Sequence, residues 1–152
     1  MSLEFTETLR GSYFLVEAPD DVRLCEVAVS VSMSRPRKLV RRLDAQLAGT
    51  ATFDQLATAV AIQGSLRFEA ARPRRVSYEF GFVGEDGRVL AFRGAKHPSL
   101  LRPLYSATTL WGSLFAGDRA IAMVRLHFDL RRDLVAFLQS LSRQLDQDEA
   151  EG

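Results

Sequence analysis

Two neighbouring stretches carry the side chains best suited to chemistry. Lys96 and His97 adjoin in RGAKHPS, where the histidine could act as a general base beside the lysine. In the following LYSATTLWG, extended structure places Tyr105, Thr109 and Trp111 on one face. Ligand pockets often combine apolar walls with a few hydroxyls, so this face predicts a cavity lining with Thr109 as its polar anchor. Ordinary strand packing, and a loop position for His97, explain the same residues without a site.

Several kinds of site are excluded by what the chain lacks. His97 and His127 have no metal-ligand spacing, and the single cysteine, Cys25, rules out an internal disulfide and a cysteine-based zinc site. No serine stands in a G-x-S-x-G motif, and no dinucleotide-binding G-x-G-x-x-G occurs. We therefore predict no catalytic residue, metal or cofactor in this segment. The lone cysteine, interpreted as an inert buried thiol, fits a cytoplasmic location.

Charge and hydropathy narrow the range of partners. A net charge of +1 argues against nucleic acid as the main partner, because such binding needs a strongly basic surface. The short basic stretches RPRKLVRR and ARPRR are interpreted as solvated faces. No run of about 18 apolar residues occurs, so no membrane-spanning helix is expected. The oligomeric state is left open.

Alternation of apolar and polar residues dominates the chain and predicts antiparallel β-strands. In RVSYEFGFV the side chains of Val76, Tyr78, Phe80 and Phe82 share one face, and GEDG then makes a turn into RVLAFRG. Further strands are predicted in FTETLRGSYF, LCEVAVSVSM, LAGTATF, IQGSLRFEA, LYSATTLWGSLF and RAIAMVRLHFDL. The total is about eight strands.

Two segments have helical spacing instead. SRPRKLVRRLDAQL places Ser34 at an N-cap position, and its Leu43 and Leu47 are four residues apart. In the C-terminal RRDLVAFLQSLSRQLDQ, one apolar stripe runs from Leu134 to Leu145. We predict one short internal helix and one C-terminal helix.

These elements fit one mostly β domain over residues 4–147. Residues 1–3 and 151–152 look like remnants of an expression vector and are set apart from the fold. An antiparallel sheet of about eight strands must close or stack to protect its edges. An up-and-down barrel of the lipocalin (calycin) type fits best, with a sandwich as the alternative. Such a barrel has room for one small ligand.

The barrel interior supplies the candidate binding residues. Glu7 and Arg10 fall on opposite faces of the first strand, and Glu79 and Arg93 are expected to pair across a hairpin. Glycines inside strands mark either bends or space for a ligand, and they occur at Gly11, Gly49, Gly64, Gly81, Gly94 and Gly112. The predicted ligand-contacting residues are Tyr78, Phe80, Phe92, Lys96, Tyr105, Thr109 and Trp111.

Four signatures, taken in order, resemble a known protein family. FTETLRG opens the chain, LAGTATF lies mid-chain, and YEFGFVGEDGRVLAFRGAK and YSATTLWGSLF follow. Over most of residues 4–130 they are similar to an uncharacterised accessory module of bacterial cholesterol oxidase-like flavoproteins. Those proteins belong to the glucose-methanol-choline oxidoreductase family and are sometimes joined to α/β-hydrolase regions. This chain departs from the module's D-T-T-T-L, because it has Ser106-Ala107-Thr108-Thr109-Leu110 there.

Three functions fit these observations. The resemblance implies a non-catalytic accessory domain that binds a hydrophobic, sterol- or lipid-like ligand beside a flavin oxidoreductase or hydrolase domain, with any oxidation carried out elsewhere in a longer chain. The second function is a filled barrel that serves as a structural or interaction domain and docks a partner domain. The third is a small barrel isomerase or cyclase that uses Lys96, His97 or Glu79 in a pocket.

Overall fold

A computed structural model describes residues 2–34, 42–69, 75–96 and 109–128. These residues form eight strands and no helix, and hence none that is long and apolar enough to cross a membrane. The strands are β1 (Ser2–Leu15), β2 (Arg23–Ser34), β3 (Arg42–Phe53), β4 (Ala57–Glu69), β5 (Arg75–Val83), β6 (Val89–Lys96), β7 (Thr109–Ala116) and β8 (Arg119–Phe128). Because β1 begins at Ser2, the sheet includes two of the residues that the sequence analysis sets apart.

The strands form one closed antiparallel barrel in chain order. Each strand pairs with its neighbours in sequence, and β1 pairs with β8 from Leu9 opposite Phe128 to Leu15 opposite Ala122. Closure removes the exposed edges that an open sheet of this size would present. The predicted mostly β, antiparallel up-and-down barrel is therefore confirmed, and the sandwich is excluded.

The predicted internal helix is wrong over its described part. Residues 35–41 lie outside the described residues, but β3 pairs with β4 from Arg42 onwards and with β2 from Gln46 onwards. Within β3, Ala45 is buried whereas Asp44 and Gln46 are exposed, so the effective period is two. Cross-strand pairing on both sides overrides a weak helical spacing. The predicted C-terminal helix lies outside the described residues.

The two ends of the barrel differ in which connections they carry. One end, here called the Tyr13 end, carries the turns at 16–22, 54–56, 84–88 and 117–118. The predicted GEDG turn is present there, with a φ of +82° at Gly87, and Gly117 has the positive φ (+61°) that begins a type II′ hairpin turn. The opposite end, here called the Lys96 end, is where β2, β4, β6 and β8 finish.

Inward side chains form one apolar core, and the shared face predicted for Val76, Tyr78, Phe80 and Phe82 of β5 is confirmed. Val27, Ile62 and Phe80 are buried, while their sequence neighbours are exposed or half-buried. Burial of this kind stabilises the fold by about 25 cal/mol for each Å² of apolar surface removed from water. The core therefore runs around the whole inner face of the barrel.

Aromatic rings fill the interior at the Tyr13 end. The ring of Phe53 stacks on Phe82 with a centroid distance of 5.3 Å, and Tyr13 meets it edge-on at 5.4 Å. The Tyr13 hydroxyl donates a hydrogen bond to the carbonyl oxygen of Asp54. Such ring pairs add to the stability gained from burial alone.

Glycines permit close approach inside the barrel wall. A Cβ atom on Gly11, Gly49 or Gly64 would lie 1.8 to 1.9 Å from a carbonyl oxygen of the neighbouring strand. A Cβ on Gly94 would lie 2.6 Å from the ring of Phe92. Of the two predicted roles for strand glycines, a bend explains the first three, because backbone occupies the space beside them.

Candidate functional site

Three polar side chains lie inside the barrel toward the Lys96 end. Glu7 on β1, Tyr78 on β5 and Lys96 on β6 have exposed fractions of 6%, 2% and 3%. Glu7 alternates with Thr6 and Thr8, which are exposed, so its side chain points inward. Charged residues are rarely buried to this degree, because losing water costs them several kcal/mol. We call Glu7, Tyr78 and Lys96 the interior polar group.

The interior polar group reaches across the barrel. β1 and β5 are four strands apart in either direction around the eight-stranded barrel, so they face each other across its interior. The Tyr78 hydroxyl donates a hydrogen bond to Oε2 of Glu7 at 3.3 Å. Nζ of Lys96, on the strand beside β5, lies 5.4 Å from the centroid of the Tyr78 ring, a cation–π distance. The three side chains are therefore one connected group.

Burial controls the protonation of this group. Removal from water disfavours the ammonium form and lowers the pKa of Lys96 to about 8, although the nearby Glu7 carboxylate opposes this shift. Burial, reinforced by Glu7, also raises the pKa of Tyr78 well above its ordinary value. Tyr78 therefore stays a neutral hydrogen-bond donor, while Lys96 is balanced between ammonium and amine near pH 8.

Four of the predicted ligand-contacting residues lie inside the barrel. Tyr78, Phe80 and Phe92 are buried, and the rings of Phe80 and Phe92 stack with their centroids 4.8 Å apart. Lys96 is interior as well and joins the polar group. Tyr105 lies outside the described residues. The structure thus brings Tyr78 and Lys96 into contact, with two aromatic rings lining the same interior.

The predicted inward face of β7 is wrong. Leu110 and Leu114 are the buried interior residues, whereas Trp111 is 54% exposed on the outer face. The Arg125 guanidinium lies 5.7 Å from the indole ring. On the inner face, Gly112 leaves space that the Phe92 ring fills, since a Cβ there would lie 2.7 Å from that ring. The strand therefore turns its two leucines inward and its tryptophan outward.

Thr109 is buried but shares the outward-facing positions of β7 with Trp111. Its Oγ1 lies 3.2 Å from Nδ1 of His127 on the neighbouring β8. His127 is exposed. The Thr109 hydroxyl is therefore placed beside a neighbouring strand and not beside the interior polar group.

Glu7 is the member of the polar group that the predicted ligand-contacting set omits. The signal that identifies it is simple, because it alternates in register with Leu9 and Tyr13 on the apolar face of β1. Placing a carboxylate on that face amounts to predicting a buried charge. Glu7 and Arg10 lie on opposite faces of β1, as predicted, but their spacing alone does not tell which of the two faces inward.

The residues proposed for a barrel enzyme are not gathered at one place. Glu79 lies on the outer face of β5, with Oε1 3.4 Å from Nε of Arg93 on β6. This confirms the predicted cross-strand pair and puts the sheet between Glu79 and Lys96. His97 lies outside the described residues.

A shallow groove of about 550 Å³ crosses the outer face from β3 to β6. Small side chains, including Ala48, Ala61 and Gly81, form its floor, and the exposed Val83 and Val89 lie at its edge. None of the three residues of the interior polar group lines this groove. It is therefore not the internal cavity that the sequence predicts.

The remaining candidate for chemistry is the single thiol. Cys25 is buried on the inner face of β2, and loss of water raises the pKa of its thiol to about 12. The thiol is therefore held in its unreactive protonated form. Within the described ranges, no three or more histidine, cysteine, aspartate or glutamate side chains come together as metal ligands would.

Fold and site together define a closed antiparallel barrel with an apolar interior and one buried Glu–Tyr–Lys group. Comparison of the chain with protein-family models, with curated proteins and with solved structures finds no match. The resemblance to the accessory module stays a prediction.

Proposed function

We propose that this barrel binds an apolar small molecule with one polar end, as lipocalin-like carriers do. The observation that supports the proposal is the interior polar group. A core selected for stability gains little from buried charges, because apolar side chains of similar volume are often as stable or more so. Ligand sites, in contrast, combine apolar walls with a few convergent polar groups.

The polar end of the ligand belongs beside Glu7, Tyr78 and Lys96. A carboxylate or a carbonyl oxygen suits the Lys96 side chain, and a hydroxyl suits the Glu7 carboxylate. The rest of the ligand packs on apolar walls such as Phe80 and Phe92. An ammonium and a carboxylate in one group allow the site to serve both acceptors and donors.

The finer parts of the proposal rest on the sequence alone. The resemblance favours a sterol- or lipid-like ligand and a flavin oxidoreductase or hydrolase region as the partner. In that arrangement the barrel holds the ligand while another domain carries out the reaction. The expected cytoplasmic location depends on the single cysteine and stays a prediction.

A second candidate function is a structural domain with a filled barrel. The aromatic packing at the Tyr13 end favours it, because Phe53 and Phe82 stack with an interplanar angle of 4°. On this view the interior polar group only fixes which strands face each other. The two candidates differ in whether a molecule is retained inside.

Native mass spectrometry of gently purified protein, followed by denaturing extraction, tests the first proposal. We expect a retained apolar molecule in the wild type, and we expect Glu7→Gln and Lys96→Met to weaken its retention. Glu79→Gln and Arg93→Met are matched controls, because they remove the same kinds of charge from the outer faces of β5 and β6. These controls should retain the molecule as the wild type does.

Two results would overturn the proposal. The first is the absence of any retained mass together with no thermal shift on adding fatty acids or sterols, which would favour the filled structural domain. The second is unchanged retention in both inner variants after circular dichroism has shown them folded, because the polar group would then not be the site.

A further inference from the structure

The interior polar group contains a lysine where an arginine would provide a permanent cation. The chain has 18 arginines and only two lysines, Lys38 and Lys96. Arginine stays charged at any ordinary pH, and its planar guanidinium forms bidentate hydrogen bonds with carboxylates. Lysine, in contrast, loses its proton readily when buried. The barrel interior therefore carries one of the two basic side chains able to become a neutral amine.

The surroundings of Lys96 favour that neutral amine. Its Nζ lies 5.4 Å from the centroid of the Tyr78 ring, and both side chains are almost completely buried. Because its pKa is lowered to about 8, roughly half of Lys96 is an amine at that pH, about a hundredfold more than for an ordinary exposed lysine. A neutral amine is the nucleophilic form of the side chain.

We propose that Nζ of Lys96 binds apolar aldehydes or ketones covalently as an imine, with Glu7 and Tyr78 as the proton-transfer groups. This inference rests on the proposed function, since it names a ligand class for the same site. It adds a reversible covalent bond to what apolar packing supplies.

The reaction needs nothing beyond the amine and the carbonyl compound. The nitrogen attacks the carbonyl carbon, a C–N bond forms, the C=O π bond breaks, and the oxygen gains a proton while the nitrogen loses one. A second proton then passes from the nitrogen to this hydroxyl, so the oxygen departs as water, which breaks the C–O bond and leaves a C=N bond. The Glu7 carboxyl and the Tyr78 hydroxyl, joined at 3.3 Å, are the two groups positioned to pass the proton. Addition of water reverses the reaction and releases the ligand.

The interior walls restrict which carbonyl compounds fit. Phe92, Leu110 and Leu126 are fully buried and contribute only apolar surface. A sugar or another polyhydroxyl aldehyde would leave hydroxyls without hydrogen bonds in such surroundings, at a cost of a few kcal/mol each. An alkyl chain or apolar ring with a single carbonyl has no such cost. The structure thus favours apolar carbonyl compounds over polar ones.

Reductive trapping tests this inference. The 152-residue chain is incubated with decanal and sodium cyanoborohydride near pH 8, so that any imine becomes a stable secondary amine. Peptide mapping should find the decyl group on Lys96 at least about tenfold more than on Lys38, because Lys96 has a large amine fraction at this pH. Lys38→Arg should leave this labelling unchanged, and Lys96→Arg should abolish it.

Decanol, which has the same chain without the carbonyl, separates this inference from the proposed function. Thermal stabilisation by decanol with no decyl group on Lys96 overturns the imine and leaves reversible binding intact. Equal labelling of Lys38 and Lys96, or labelling of Lys96 only in urea, overturns it too. No effect of decanol together with no trapping of decanal overturns both proposals. The decisive mapping uses the wild type, so a Lys96→Arg variant that fails to fold does not affect the test.

Discussion

Lys96 links burial of a single side chain to the pH dependence of the whole fold. Its pKa falls to about 8 in the barrel, from an ordinary value of 10.5. Between these two values the unfolded chain binds more protons than the folded one. Stability must therefore rise as the pH rises through this window.

We expect the free energy of unfolding to increase by on the order of 1 kcal/mol between about pH 7 and about pH 9. Urea denaturation at several pH values measures this increase. The Lys96→Met variant should lose it, and Arg93→Met, on the outer face of the same strand, should keep it. A wild-type profile no steeper than that of Lys96→Met would contradict the assignment. The comparison stops near pH 9 because the pKa of Cys25 is raised in the folded protein. Above about pH 9 this raised pKa makes the free energy of unfolding fall as the pH rises.

Cys25 provides a second residue-scale test, because it is the only thiol in the chain. Burial raises its pKa to about 12, so at pH 8 the native protein holds almost no thiolate. We expect a disulfide reagent to label the native protein slowly and the urea-unfolded protein rapidly and completely. Rapid labelling of the native protein would show that the β2 wall opens readily.

At the scale of single elements, the sequence predicts strands best where every inward position is large and apolar. β5 is the clearest case, because Val76, Tyr78, Phe80 and Phe82 alternate without a break. In β3 the inward Ala45 is too small to signal its face, and the two flanking leucines happen to be four residues apart. The helix predicted there fails because pairing with β2 and β4 outweighs that local spacing.

The faces of β7 show a different limit. Both faces of this strand carry apolar side chains, so alternation alone does not tell which one is inner. From the sequence, either Trp111 or Leu110 could face inward. In the structure the ring of Phe92 on β6 occupies the space at Gly112, and Leu110 lies on the same inner face as Gly112. That contact joins residues far apart in sequence. The same reason left Glu7 unassigned, since its partner Tyr78 is 71 residues away.

Glycines in the barrel wall allow an element-scale prediction with a built-in control. In Gly64→Ala the new Cβ would lie 1.8 Å from the Glu79 carbonyl oxygen, so we expect a loss of about 3 kcal/mol or more of stability. In Gly81→Ala, on the adjacent strand, the nearest atom would be 3.7 Å away. This second variant should be neutral or gain up to about 1 kcal/mol. Urea denaturation compares the two, and equal stabilities would contradict the close approach at Gly64.

At the scale of the whole molecule, closure makes the barrel a single cooperative unit. β1 pairs with both β2 and β8, so every strand has a partner on each side. No strand can separate from the barrel without breaking the pairing on both of its sides. Pairing of β1 with β8 joins residues more than a hundred positions apart, and such long-range contacts slow folding to the millisecond-to-second range. Stability therefore depends on all eight strands at once.

The single tryptophan and the single cysteine test this cooperativity. Trp111 on β7 reports through its fluorescence, and Cys25 on β2 reports through its exposure to a thiol reagent. We expect both probes to give the same urea midpoint, as two-state unfolding requires. Separate midpoints would show that part of the barrel unravels on its own.

Because the barrel has an even number of antiparallel strands, β1 begins and β8 ends at the same end of the barrel. The first residue of β1 and the last residue of β8 belong to the same rim, the one at which β6 brings in Lys96. At the other rim, the rings of Tyr13, Phe53 and Phe82 pack against one another inside the barrel. Under the proposed function, a ligand beside Glu7 and Lys96 would lie toward the rim at which the chain enters β1 and leaves β8.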